Sequence, residues 1–270
     1  MSFALGPLLQ ACRTSDGSAL PGDVQIVQRF PQNLVTGPVR LPISLASSGG
    51  LLTVSDDTPT QLAARVSRID GGRDVPVAEG LLADRHDARL STPYWPFFLD
   101  VATPGFYRLV IEGGPDDGAA FQVFDRSEIK VPAIGDQLTP FDTPTLDDAR
   151  GVDPVCTRRP EPCSLHDVTL REALSSGGRV ALLVGTPAHC ATGTCAPALD
   201  ALLDVADVLD GMTFIHAEVY SDPNATTVAP VVEALAMNYE PALFVTDEDG
   251  VVTARLDAVF DEVELRSLVS

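Results

Sequence analysis

The chain has 270 residues, enough for two ordinary domains, and 45% hydrophobic against 21% charged residues is too apolar a mixture for disorder. A formal net charge of −20 leaves no basic face for nucleic acid or anionic lipid, so neither is an expected partner. Nowhere do about 18 apolar residues run uninterrupted, so no segment reads as a membrane span.

Residues 1–20 open the chain with a short apolar run that ends in Ala11, followed by Cys12 and a polar stretch. Leu9-Gln10-Ala11-Cys12 resembles a bacterial lipobox, in which cleavage leaves the cysteine as a lipid-carrying N-terminus. The resemblance implies lipid attachment at Cys12 and a protein held on the outer face of the cell membrane. Gln10 departs from the usual small residue, and no basic residue precedes the apolar run. The alternative is a frayed apolar terminus with a free cysteine. The other four cysteines fall into two close pairs, a usage that suits an oxidising, extracytoplasmic compartment.

Residues 21–127 contain short β-type runs at 24–27, 39–45, 62–69, 97–101, 106–111 and 120–124. Turn chemistry rich in Gly, Asp and Pro separates them, as in an antiparallel sandwich. Thr103-Pro104-Gly105-Phe106-Tyr107 and the strand after it resemble the late turn and Gly-aromatic strand of immunoglobulin-like extracellular modules. Such modules bind, space or orient, so a protein partner is expected through this part. No catalytic constellation is visible here. His86 lies in a polar turn and reads as solvated, and the cluster from Tyr94 to Phe98 reads as core packing at a strand entrance.

Residues 128–166 are rich in Pro, Asp and Thr and read as an extended connector. It ends in Cys156-Thr-Arg-Arg-Pro-Glu-Pro-Cys163, a short loop stiffened by two prolines. The expected role of Cys156 and Cys163 is a structural disulfide. The pair with nearby His166 also has metal-ligand character, but a fourth ligand is not apparent and zinc sites commonly space cysteines more tightly. No metal and no cofactor is therefore assigned.

Residues 167–270 alternate helix and strand patterns in the order αβαβαββα, which predicts a small α/β sheet with helices on both faces. Thr169-Leu-Arg-Glu172 is a capping box. The apolar run 180–185 reads as a buried strand that ends at Thr186-Pro187 and delivers Cys190 and Cys195 to the start of a helix near Thr194. Free N–H groups and the positive end of the helix dipole favour thiolate there. The domain resembles thioredoxin over residues 167–270. In that resemblance Cys190 takes the place of the attacking cysteine, and Glu240-Pro241 that of the cis-proline peptide that helps dock an extended substrate backbone. The implied activity is thiol–disulfide exchange with protein thiols and disulfides, with Cys190, Cys195 and Pro241 as the site.

The motif departs from the family's Cys-x-x-Cys, because four residues separate Cys190 from Cys195. Along one regular helix their Cα atoms would lie roughly 8–9 Å apart, beyond disulfide reach. A bond requires a turn over residues 191–194 or an unwound first helical turn, and Gly193 permits either, so the backbone around Cys190 is expected to differ between oxidised and reduced states. Some peroxiredoxins resemble this stretch with Thr-Pro-x-Cys-x4-Cys, but their arginine enters from the strand before an Asp-x-x-Gly hairpin, whereas Arg255 lies beyond the hairpin turn Asp247-Glu248-Asp249-Gly250. A copper site of Cys190, Cys195 and His189 or His216 is a further reading, as is an inert bridge in a binding module. His216 itself, inside an apolar strand, reads as a core residue.

Overall fold

Period-two burial organises the first part of the chain. The structure, a computed structural model, describes residues 20–55 and 57–269, so Cys12 lies outside the described residues. The strands are β1 (Gln25–Gln28), β2 (Leu34–Val35), β3 (Gly37–Ser47), β4 (Gly50–Leu51), β5 (Gln61–Asp70), β6 (Arg73–Asp84), β7 (Trp95–Val101), β8 (Gly105–Ile111) and β9 (Ala119–Phe124). In one sheet β3 pairs antiparallel with β1, β4 and β7; the other runs β2-β9-β8-β5-β6. Alternate residues Leu41, Ile43 and Leu45 of β3 point into the same core as Val66 of β5, Leu109 of β8 and Val123 of β9. The two sheets thus bury one shared apolar layer, and β-strand outweighs helix in the molecule.

The predicted strands recur within a few residues, but β6 does not follow from the sequence. Its residues are mostly exposed, it contains Pro76 and Gly80, and its pairing with β5 shifts register twice. An edge strand of this kind lacks the one-sided burial that writes alternation into a sequence. His86 is also corrected. Its ring stacks on Tyr94 and its Nδ1 lies 2.8 Å from the Asp261 carboxylate, so it is not a solvated turn residue.

The second part comprises α1 (Leu170–Ser175), β10 (Arg179–Val184), α2 (Cys195–Ala206), β11 (Met212–Ala217), α3 (Pro230–Ala234), β12 (Ala242–Thr246), β13 (Val252–Asp257) and α4 (Glu262–Val269). Its sheet runs β11-β10-β12-β13, with β11 parallel to β10 and the other neighbours antiparallel. Strand β10 is buried on both faces, which is why it reads as a continuous apolar run. Val180, Leu182 and Val184 pack with α1 and α3, whereas Ala181 and Leu183 pack with α2 and α4. The Thr169–Glu172 capping box forms as read. Helix α3 spans only five residues, and Ala236 with φ of 51° turns the chain just past it.

Residues 128–166 do not form a free-standing connector. Val131, Leu138 and Val152 are buried in the core of the second sheet, and the Leu138 N–H donates to the Gly250 carbonyl. The prolines shape a strap laid along the sheet rather than a spacer between separate bodies. A second contact closes the two parts together. Arg40 of β3 makes a bidentate pair with Glu264 of α4, both contacts at 2.6 Å, and the Tyr94 hydroxyl donates to the same carboxylate at 2.6 Å.

Candidate functional site

The C-terminal end of β10 carries the chain through Gly185, Thr186 and Pro187 to Cys190. Residues 190–194 form a turn outside the helix, with Gly193 at φ of 68°, a conformation that costs glycine little. Helix α2 then begins at Cys195 itself. The geometric objection to a Cys-x4-Cys bond is thereby met: the two sulfurs and a Glu240 carboxylate oxygen all lie within 4.8 Å of one another.

The two thiols differ in environment. Cys190 is partly exposed, and its Sγ accepts the Cys195 backbone N–H at 3.3 Å and lies 3.2 Å from the Thr192 hydroxyl. The hydrogen bond from the Cys195 thiol, helped by Thr192 and by the backbone N–H groups of residues 194 and 195, outweighs partial burial and lowers the Cys190 pKa to about 4. Cys195 is fully buried. Its hydrogen bond to Cys190, burial and the neighbouring negative charges push its pKa far up, so it keeps its proton.

Glu240 completes the site, and sequence reasoning assigned it no role of its own. Its carboxylate accepts the Thr186 N–H at 2.8 Å and the Cys195 thiol at 3.3 Å. Burial, and the charge of Cys190, raise its pKa above the ordinary carboxylate value. The next peptide, Glu240-Pro241, is cis. Gly185 fits between Pro241 and Cys195: a Cβ there would meet Pro241 Cβ at 3.3 Å and Cys195 Sγ at 3.5 Å. Pro241 and Cys195 are thus near neighbours across the end of the sheet. Arg29, in the loop after β1, lies close enough to interact electrostatically with Cys190, so the first part of the chain contributes a cation near the thiol.

His189 does not join the cysteine pair; its ring meets Tyr220 edge-on. His216 lies elsewhere too, buried on β11 with His166, Cys156 and Cys163. Cys156 and Cys163 are thiols in the structure, with sulfurs 3.8 Å apart, rather than the expected bridge. Their loop still supports the turn that carries Cys190. Glu218, buried after β11, accepts the Thr157 N–H and hydroxyl at 2.6 and 2.9 Å, and Thr157 Oγ1 accepts the Ala188 N–H at 3.1 Å.

A scan of protein-family models and a search of curated proteins each returned no match to the chain. The functional reading therefore stands on the residues and their geometry.

Proposed function

We propose that the chain is an extracytoplasmic thiol–disulfide oxidoreductase. In this reading residues 167–270 are a thioredoxin-like domain, residues 21–127 an immunoglobulin-like β domain, and Cys12 a lipid anchor to the outer face of a bacterial membrane. The observation that carries the proposal is the asymmetry of the pair: Cys190 is partly exposed with its pKa lowered to about 4, and Cys195 is buried, protonated and in contact with a carboxylate.

The Cys190 thiolate attacks one sulfur of a substrate disulfide. A Cys190–substrate S–S bond forms, the substrate S–S bond breaks, and the released thiolate takes a proton from solvent. Cys195 then passes its proton to Glu240 and attacks the Cys190 sulfur. The mixed disulfide breaks, the second substrate sulfur leaves as a thiolate that takes the proton from Glu240, and the protein holds a Cys190–Cys195 disulfide. The substrate has gained two electrons and two protons, and a dithiol donor must return them to the protein. Pro241, beside Cys195, is suited to hold an extended substrate backbone. The β domain supplies Arg29 near the thiolate and a surface for recruiting a partner protein.

Trapping tests this reading. Incubated with oxidised glutathione, the Cys195→Ser variant is expected to accumulate a mixed disulfide on Cys190, read as one glutathione adduct by intact mass. The Cys190→Ser variant is expected to show none, because Cys195 is buried and protonated. Equal labelling of the two variants, or labelling of neither, would refute the assignment of attacker and resolver.

A further inference from the structure

The second cysteine pair lies in a different kind of site. Cys156, Cys163, His166 and His216 are all buried, and their four ligand atoms lie within 4.8 Å of one another. Two segments bring them together, the loop of residues 156–166 and strand β11. The loop of residues 156–163 supplies the thiols, the Leu165 carbonyl accepts the His216 N–H of β11 at 3.0 Å, and that bond sets His166 beside His216. From spacing alone His216 is invisible as a partner, because it lies 53 residues beyond Cys163.

We propose that these four side chains bind one structural zinc ion through Cys156 Sγ, Cys163 Sγ, His166 Nε2 and His216 Nδ1. The spacing of the donors carries the assignment. A tetrahedral zinc with bonds of about 2.3 Å to sulfur and 2.0–2.1 Å to nitrogen needs donor separations of about 3.8 Å for S···S, 3.6 Å for S···N and 3.3 Å for N···N. The structure has 3.8 Å between the sulfurs, 3.7 and 3.6 Å from them to His216 Nδ1, and 3.3 Å between His216 Nδ1 and His166 Nε2. A disulfide would instead require the sulfurs to close to about 2.05 Å and would leave both imidazoles without a ligand to share.

Two further features fit a metal. His216 Nε2 lies 2.9 Å from the Gly185 carbonyl, so Nε2 carries the hydrogen and Nδ1 presents its lone pair to the cluster. His166 Nδ1 has no hydrogen-bond partner among the described residues, so this buried imidazole has the cluster as its polar surroundings. Charge balances as well: two thiols give up two protons to solvent, and two thiolates neutralise one divalent cation in an apolar site. The Gly185 carbonyl and the Thr157–Ala188 hydrogen bond connect this cluster to the turn that carries Cys190, so the metal would brace the redox turn from behind. The proposal does not depend on the exchange chemistry of Cys190.

The test uses the full chain, purified under reducing conditions and without chelator. Elemental analysis is expected to find about one zinc per chain. Cobalt replacing it is expected to give thiolate-to-metal charge transfer and the intense ligand-field bands of a tetrahedral site. The Cys190→Ser/Cys195→Ser double variant is expected to retain the metal and this spectrum, whereas His166→Ala and Cys163→Ser lose them. The cobalt titration of the unmodified chain needs no variant to fold. Zinc-free protein that binds no cobalt, protein isolated with a Cys156–Cys163 disulfide, copper in place of zinc, or metal lost from the double variant would each overturn the proposal.

Discussion

At the scale of single residues, the pair Cys190 and Cys195 is legible in sequence because a buried strand running into a helix start fixes where both thiols fall. Glu240 is not legible in the same way. It reaches Cys195 because β12 pairs with β10, and that pairing joins residues 45 positions apart, which no local pattern announces. His216 fails for the same reason: inside an apolar strand it reads as core, and its cysteine and histidine neighbours come from the loop of residues 156–166 packed beside β11. Iodoacetamide should alkylate Cys190 with a pH midpoint of about 4, far below a free thiol, whereas Cys195 should stay unreactive in the folded protein. A thiol held at that low value stabilises the reduced fold above its unfolded pKa, and the contribution is lost as pH falls through about 4. If the proposed exchange operates, Glu240→Gln takes away the carboxylate that would accept the Cys195 proton and should slow resolution of the Cys190 mixed disulfide by about 100-fold, while leaving the first attack nearly unchanged. Single-turnover release of glutathione separates the two steps.

Among the elements, strands with one buried face and helices with caps are readable, and elements defined by tertiary pairing are not. Helix α4 buries Leu265 and Val269 in one core, and strand β12 is buried on both faces, Ala242 and Phe244 in one core and Leu243 and Val245 in the other. Strand β6 and the strap of residues 128–166 depend on partners, β5 for one and the second sheet for the other. The turn between the cysteines is the element on which the proposed exchange would depend. Gly193 there has φ of 68°, and a Cβ added to it would meet nothing within 4 Å, so space is free and only backbone conformation is at stake. Gly193→Ala should therefore cost about 1 kcal/mol in urea unfolding of the reduced protein. Gly185→Ala tests a different constraint. Its new methyl would press on Pro241 and Cys195, so it should impair exchange more than its stability loss explains. Equal stability losses with exchange intact in both variants would show that the approach of Pro241 to Cys195 is unimportant.

For the whole molecule, the central fact is that the two parts share a buried polar contact. Arg40 and Glu264 are almost fully buried, Arg40 also donates to the carbonyls of Asp257 and Val259, and Asp261 links His86 to the backbone of Ala88. Removing one partner of a buried pair typically costs about 3–5 kcal/mol, because the other charge remains without compensation. Arg40→Ala should accordingly lower the urea midpoint markedly, whereas Arg40→Met with Glu264→Leu should recover much of the loss. Burial alone would lower the His86 pKa, but its hydrogen bond to Asp261 and the charges of Asp261 and Glu264 prevail over Arg40 and raise it. The stabilisation from His86 is then complete below its unfolded value of about 6.5 and is lost as pH rises through the raised folded value. The difference in stability between the parent and His86→Gln should shrink over that rise; a difference that is flat with pH would show that His86 does not bind its proton more tightly in the fold.

The measurement that bears most directly on the proposed activity is a redox titration of the full chain in glutathione buffers, with free thiols at Cys190 and Cys195 counted by mass spectrometry. Exchange chemistry requires one reversible two-electron transition in which both thiols disappear together as a Cys190–Cys195 bond, while Cys156 and Cys163 do not join it. A Cys190–Cys195 pair that stays reduced in the most oxidising buffer, or stays bridged in the most reducing one, would contradict exchange chemistry at this site.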